Sequence, residues 1–437
     1  MLKKIYTTLM AVLLTGGIFA SGFQINEHGA RAMAMGGAFT GLANDASAAY
    51  FNSAGITQLT GTHFSLGGTL INPSSTFTGP KPSKTESKLK NKFFTPFTLY
   101  VTHQLNEKLF IGFAFNSPFG LGTEWEDDWV GRYNALKTEI RTFNFTPVIS
   151  YKIADNFSAG FGLTLSYADV EITRKLPAAF QNPLNGSYVV LDDGSLDMTG
   201  DAFSYGFNAS IFYQACDELS FGASFKSQIR YEFEGDAKRT FPSIPAAYAA
   251  FQSAILAGLS ASYPYGNISA PMTVPHVFTI GTAYRSPEGH TLTADFQYNA
   301  WESYEYLTVD FKDLNYSNTS VRKYQNSWIA RIGGEFKVDP MFDIRVGVYY
   351  DKNPIKDDRL DFTLPDADRI GISAGTGIHI NDKFSIDLAY LYLLFMEREI
   401  NSSGEFIANP LLPTRIPLNG TYNSYAHLVG LNFSYNL

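Results

Sequence analysis

Over residues 157–167 every second side chain is apolar (Phe157, Ala159, Phe161, Leu163, Leu165, Tyr167), and each one between is small or polar (Ser158, Gly160, Gly162, Thr164, Ser166). A period of two sends successive side chains to opposite faces of a strand, so this run makes a ribbon with one greasy face and one polar face. The pattern returns over 219–226, 342–350 and 384–392. Asp343, Arg345 and Asp387 fall on its polar side. Facing lipid, the arginine would cost about 2–4 kcal/mol at mid-membrane and the aspartates somewhat less, whereas a polar lumen accepts them. Alternation alone also suits a soluble sandwich, which gives its polar face to water and buries the other.

Composition and the N-terminus separate the two. Aromatic residues make up 15% of the 437, and charged residues only 17%, against about 25% in an ordinary globular domain. Lys3 and Lys4, the apolar run 5–14 and the small-residue exit 16–20 have the layout of a cleaved secretory signal. Residues 1–20 are therefore expected to be a signal peptide, with the mature chain starting at Ser21 or Gly22. No window holds the roughly 18 consecutive apolar residues that a spanning helix needs, and mean hydropathy is -0.08. An exported, aromatic-rich, charge-poor chain without spanning helices points to an all-β transmembrane barrel in the outer membrane, with membrane lipid around it. The formal charge is -8, and removing Lys3 and Lys4 leaves -10, which argues against nucleic acid as a partner. Cys216 is the only cysteine, so no intramolecular disulfide and no cysteine metal cluster can form.

Six short turns, at 105–108, 154–156, 215–218, 286–289, 338–340 and 381–383, are rich in residues that favour tight reversals. Long connections alternate with them. Six periplasmic turns and seven outer loops predict 14 antiparallel strands with both termini periplasmic. The expected strands are 62–73, 93–104, 108–117, 137–153, 156–173, 200–214, 218–234, 272–285, 290–311, 322–337, 341–353, 369–380, 383–399 and 421–437. Residues 61–437 are thus the barrel. Residues 21–60 lack the alternation and are rich in small residues, including glycines 29, 36, 37, 41 and 55. They suit an N-terminal hatch, a plug threaded inside the lumen, or alternatively a flexible periplasmic leader.

With those residues in view, the chain resembles the long-chain fatty acid transporter family of bacterial outer membranes, FadL- and TodX-like, which includes importers of aromatic hydrocarbons. The segments SGFQINEHG and AMGGAFTGLANDASAAYFNSAGIT resemble its N-terminus and hatch, and NSPFGLGTEW, WVGRYNALKTEIRTFNFTPVISYKI and PDADRI resemble further family blocks. The last strand, alternating up to Leu437, resembles the C-terminal signal read by the barrel assembly machinery, with leucine in place of the usual aromatic. The resemblance implies apolar substrate caught between two extracellular loops, passed to a pocket touching the N-terminus, and released sideways beside a kinked third strand. It also implies that the hatch triplet Asn52, Ser53 and Ala54 lies against that kink. Ser53 stands where the family has proline, which implies a looser contact. By the same resemblance Phe23 lines the deeper pocket and Arg174 meets the ligand; an anchor for the terminus and a rim arginine for lipid phosphate are the respective alternatives.

Other candidates come from pattern. In the loop 235–271, Ile244, Tyr248, Phe251, Ile255 and Leu259 recur at helical spacing. They suit either a lid on the rim or one wall of a capture groove. Loop 176–199, with Leu176, Phe180, Leu184, Tyr188, Val189 and Leu191, would supply the facing wall or its own small core. Asn116 and Pro118 interrupt the third strand, because proline cannot donate to a ladder; they mark an exit gap or a plain strand end. Arg369 is expected to pair with Asp366 or Asp368. The seven histidines show no metal spacing and no serine elbow accompanies them, so no catalytic residue, metal or cofactor is expected. The acidic loops at 124–128 and 192–197 suit calcium or plain solvation. The expected function is uptake of a hydrophobic small molecule, foremost a long-chain fatty acid, with an aromatic hydrocarbon or a general porin as alternatives.

Overall fold

The alternating segments close into a single ring. The computed structural model describes residues 22–407 and 415–437; the expected signal peptide and Ser21 lie outside them. Fourteen staves follow in chain order. They are β1 (Thr62–Thr78), β2 (Phe97–Gln104), β3 (Leu109–Asn116, resuming at Gly120–Glu124), β4 (Lys137–Ala154), β5 (Phe157–Leu176), β6 (Gly194–Gln214) and β7 (Leu219–Lys226 and Ile229–Thr240). Next come β8 (Gly266–Val274 and Val277–Arg285), β9 (Thr291–Asn299 and Tyr306–Phe311), β10 (Tyr316–Val321 and Ser327–Lys337), β11 (Phe342–Asp351), β12 (Arg369–His379), β13 (Phe384–Phe395 and Arg398–Ile400) and β14 (Gly420–Asn436). Each pairs antiparallel with its neighbours in sequence, and β14 closes on β1 from His63↔Asn436 to Thr78↔Thr421. Closure pairs the backbone around the ring, as a bilayer demands because it offers no water to an unpaired backbone group; the exception is the upper part of β3, where Gly120–Glu124 pairs with β4 and not with β2. No helix among the described residues is long and apolar enough to cross a membrane.

The pleat sorts the side chains as the sequence predicts. Phe161, Leu163 and Leu165 on β5, and Ile344, Val346 and Val348 on β11, stand exposed on the outer face. Ser158, Thr164, Ser166, Asp343 and Arg345 are buried inside. The staves differ from the sequence reading in being broken and in running further: β1 continues to Thr78, β6 begins at Gly194, β7 continues to Thr240 and β8 begins at Gly266, so the ends of the expected loops 176–199 and 235–271 belong to the wall. Pro275 interrupts β8, where a residue without an amide proton cannot extend the ladder. β9 leaves the wall after Asn299 for a short 3-10 turn at Trp301–Ser303.

The hatch fills the lower lumen with two short helices, α1 (Ala30–Ala34) and α2 (Ala48–Phe51), and a 3-10 turn at Ser53–Gln58. Its small residues let backbone meet backbone. Gly36 adopts φ 66, and a Cβ added to the wall residue Gly347 would stand 2.1 Å from its nitrogen. Charge fixes the hatch as well. Arg31 reaches Glu335 with both Nε and Nη2 at 2.8 Å, Glu335 also holds Arg345 at 2.7 Å, and Arg345 holds Asp387 at 2.5 Å.

Candidate functional site

Asn116 ends the lower part of β3 and still pairs with Asn144 on β4. Beyond it Pro118 supplies no amide proton, and the ladder resumes only at Gly120↔Arg141. The peptide between turns inward. There it pairs with the start of the hatch: Ile25 N donates to Pro118 O at 2.9 Å, and Gly120 N donates to Phe23 O at 3.0 Å. Thr142 secures Phe119 from the wall, accepting from its N at 3.1 Å and donating to its O at 2.6 Å.

This break opens on a cavity of about 600 Å³. Phe23, Ile25, Phe119, Ile140, Leu364 and Leu428 line it from within. Phe93 and Phe97 line it as well, yet they are 59% and 49% exposed. The space therefore reaches from the buried N-terminus of the hatch to the outer face of the wall. Phe23 is packed edge-on to Trp301, ring centroids 4.8 Å apart, with Phe119 at 6.1 Å and Tyr304 at 6.2 Å. Phe23 and Leu364 also line a smaller apolar space of about 90 Å³ above, walled by Val170, Met272 and Leu307. Leu121 and Ile140 line both spaces as well, so these four side chains stand between the two chambers.

A polar end is built beside Phe23. Gly22 N donates to Asp366 Oδ2 at 3.0 Å, while Arg369 pairs with Asp351 at 2.8 Å rather than with Asp366 or Asp368 as its block suggested. Burial pushes the Asp366 carboxyl up to about 7 against the pull of Arg369.

The other sequence candidates fall in different places. Asn52, Ser53 and Ala54 lie away from the break. Asn52 Nδ2 donates to Ile211 O, Ser53 Oγ meets Ser210 Oγ at 2.8 Å, Ala54 N donates to Ser210 Oγ, and Ser150 Oγ donates to Ser53 O at 2.6 Å. The triplet thus hydrogen-bonds to β4 and β6, and Phe23 to Ile25 meet the third-strand break instead. The hydroxyl that replaces proline makes a contact of its own.

The two loops meet each other. Residues 246–262 are helical, ending in α3 (Gln252–Ser262). Ile255 and Leu259 are buried against Ala178 and Phe180, and the Phe180 ring stands 5.0 Å from that of Tyr248. Phe251 packs at the edge of this cluster. Leu176 instead joins Leu196, Ile268 and Phe311. Leu184 and Tyr188 stand 72% and 76% exposed. Arg174 is close enough to Tyr263 and Tyr316 to feel their hydroxyls, and its Nε is buried without a hydrogen-bond partner among the described residues. Phe119, Trp301, Tyr304 and Thr142 were not singled out in the sequence; Pro118 marked the break that brings Phe119 in, but nothing local marked the others.

A plugged barrel, apolar chambers at the plug's tip and an opening through the wall define an outer-membrane transport protein for hydrophobic compounds. The chain belongs to the outer membrane protein transport protein family (OMPP1/FadL/TodX), whose model matches residues 11–437. It is similar to the long-chain fatty acid transport protein of Escherichia coli O6:H1, 24% identical over 418 residues, covering 87% of this chain and 88% of the relative. Among solved structures, a Pseudomonas aeruginosa FadL homologue matches with TM-score 0.78 at 22% identity, covering 96% of this chain and 100% of the other. The toluene transporter TodX of Pseudomonas putida matches with TM-score 0.69 at 15% identity, covering 94% and 98%. These relatives are transporters, not enzymes.

Proposed function

We propose that this barrel takes up long-chain fatty acids, and that they leave the lumen sideways through the break in β3. The observation that carries the reading is the continuity of the 600 Å³ cavity from Phe23 to the outer-face residues Phe93 and Phe97. An apolar chain moving along it stays out of water, which stabilises it by about 25 cal/mol per Å² kept buried. The close-packed hatch below offers it no comparable path. In this reading residues 176–199 and 235–271 form the capture region. Arg174, whose Nε has no hydrogen-bond partner among the described residues, meets the carboxylate, since a guanidinium fork binds it in two places. Phe23 is the movable floor between the two chambers. The relatives named for long-chain fatty acids and for toluene support hydrophobic substrates in general. Membrane lipid receives the product, and the alternating C-terminal strand suits handling by the barrel assembly machinery.

Purified protein in liposomes decides the matter through uptake of oleate, toluene and a small sugar. Saturable oleate uptake without sugar passage is expected. Toluene uptake alone would move the substrate to aromatic hydrocarbons, and free sugar passage would make the barrel a general porin. Replacing Gly120, whose added Cβ would stand 2.8 Å from Ile25, by valine crowds the opening and is expected to slow oleate release without changing its capture.

A further inference from the structure

Below the large cavity, at the level of the break, lies a chamber of about 50 Å³. Gln24 and Phe119 line both spaces, so the two adjoin. That volume exceeds the 10–15 Å³ that a single water needs, and it suits a group of a few heavy atoms. Its lining includes Tyr50, Asn116, Asn144, Asn208 and Lys226, and no carboxylate.

Two of these groups make no hydrogen bond through their side-chain nitrogens among the described residues. Lys226 sits with its Nζ 3.4 Å from the centre of the Tyr50 ring, and among the described residues it makes no hydrogen bond or ion pair. Asn116 is 1% exposed; its Nδ2 lies beside the Tyr100 hydroxyl but makes no hydrogen bond of acceptable geometry. The nearby carboxylates are engaged elsewhere. Glu27 accepts from the Tyr349 hydroxyl, and Asp295 accepts from Phe39 N and Thr40 N. The further charges on this side, Arg331 and the His28 ring, add no negative group. A half-buried cation with no carboxylate to pair it, in one chamber with a buried amide donor, forms an incomplete site, because charges held inside a protein are normally paired.

We infer that this chamber is an anion station: Lys226, with Asn116 beside it, receives the carboxylate of an amphiphile whose chain lies in the 600 Å³ cavity. The inference rests on the fatty-acid reading and adds to it a residue that separates acids from neutral hydrocarbons. Toluene fits the apolar cavity equally well but offers nothing to an ammonium. The ring of Tyr50 holds the cation in place until the carboxylate arrives, a role that cation–π contact suits because it does not neutralise the charge.

The test is equilibrium binding of oleate and of methyl oleate to the full-length protein in nanodiscs, for the wild type, Lys226→Met and Lys226→Arg. Lys226→Met is expected to weaken oleate by about tenfold or more, the scale of a lost charged hydrogen bond, and to leave the methyl ester unchanged; Lys226→Arg retains oleate. Oleate affinity unchanged in Lys226→Met, or a loss shared equally by the ester, overturns the site while leaving fatty-acid uptake standing. A wild type that binds neither ligand overturns both readings. Should Lys226→Met not fold, the carboxyl carbon resonance of 1-¹³C oleate bound to the wild type serves instead. Protection of that carboxyl from a water-soluble paramagnetic agent is expected, and full access to the agent overturns the site.

Discussion

The hatch and the extracellular cap close opposite ends of one barrel by opposite means. At the hatch, backbone touches backbone: Gly36 meets Gly347 and Thr40 O meets Gly222, while ion pairs of Arg31, Glu335, Arg345 and Asp387 and a tight cluster of Met35, Phe39, Leu42 and Phe51 fill the space around them. At the cap, large side chains meet: Trp125 stacks on Trp129 with centroids 4.2 Å apart, Phe362 packs edge-on at 4.5 Å, and Phe180 leans on Tyr248. Close packing of small residues leaves no route for an apolar chain. Aromatic packing leaves gaps that such a chain can fill, and the apolar cavities sit at that end. The seal and the binding region are thus chemically distinct, and substitutions should tell them apart.

The largest effect is expected on the seal. Arg31→Ala leaves Glu335 with one cation where it had two and strips a buried pair, a change of about 3 kcal/mol; hydrogen exchange over residues 30–45 should accelerate accordingly, while oleate affinity holds. Unchanged protection would show that glycine packing alone secures the hatch. Gly347→Val presses a side chain onto Gly36, and overpacking of about 1–3 kcal/mol should raise the displaced population roughly tenfold to hundredfold. Sugar permeation in liposomes would report it, and a tight barrel would count against the hatch as the seal.

At the apolar end, Phe23→Ala removes the ring between the two chambers and is expected to weaken an apolar ligand by about tenfold. Trp301 fluorescence would follow the binding, and sugar permeation should not change. Where the two regions meet, Asp366 provides a pH-dependent tie. Its carboxyl binds a proton more tightly in the folded protein, with pKa raised from 3.8 to about 7, so its contribution to stability falls as pH rises through that interval. Protease protection of residues 22–28 should therefore be greater at pH 5 than at pH 8, and Asp366→Asn should flatten the profile. The smallest effect belongs to Ser53→Ala, which loses the hydroxyl's contacts with Ser210 and Asn208, a net change of about 1 kcal/mol. A larger loss in thermal stability would mean that Ser210 is left unsatisfied as well.

The alternation made the wall legible because the pleat is local: each residue's face follows from its parity, so Phe161 and Ser166 could be assigned without knowing their neighbours. The turn at Asn106 and the break at Pro118 were legible for similar reasons of backbone chemistry. The partners of Arg369 and Asp366 were not. Asp351 reaches Arg369 across the β11–β12 ladder and Gly22 reaches Asp366 across 344 positions of sequence, and no short-range rule selects such pairs. The hatch triplet shows the same limit: its residues were visible, but its seat on Ser150 and Ser210 depends on how the plug is rotated within the ring.

By itself the sequence determined a closed 14-strand barrel, its inside and outside, and the presence of a small-residue plug, since period, turn chemistry and residue size act over a few positions. Only the tertiary structure decided where the plug touches the wall, which aromatic rings surround Phe23, and that Lys226 and Asn116 share one chamber. Those outcomes depend on shape and charge meeting across the lumen, between residues that the chain itself keeps far apart.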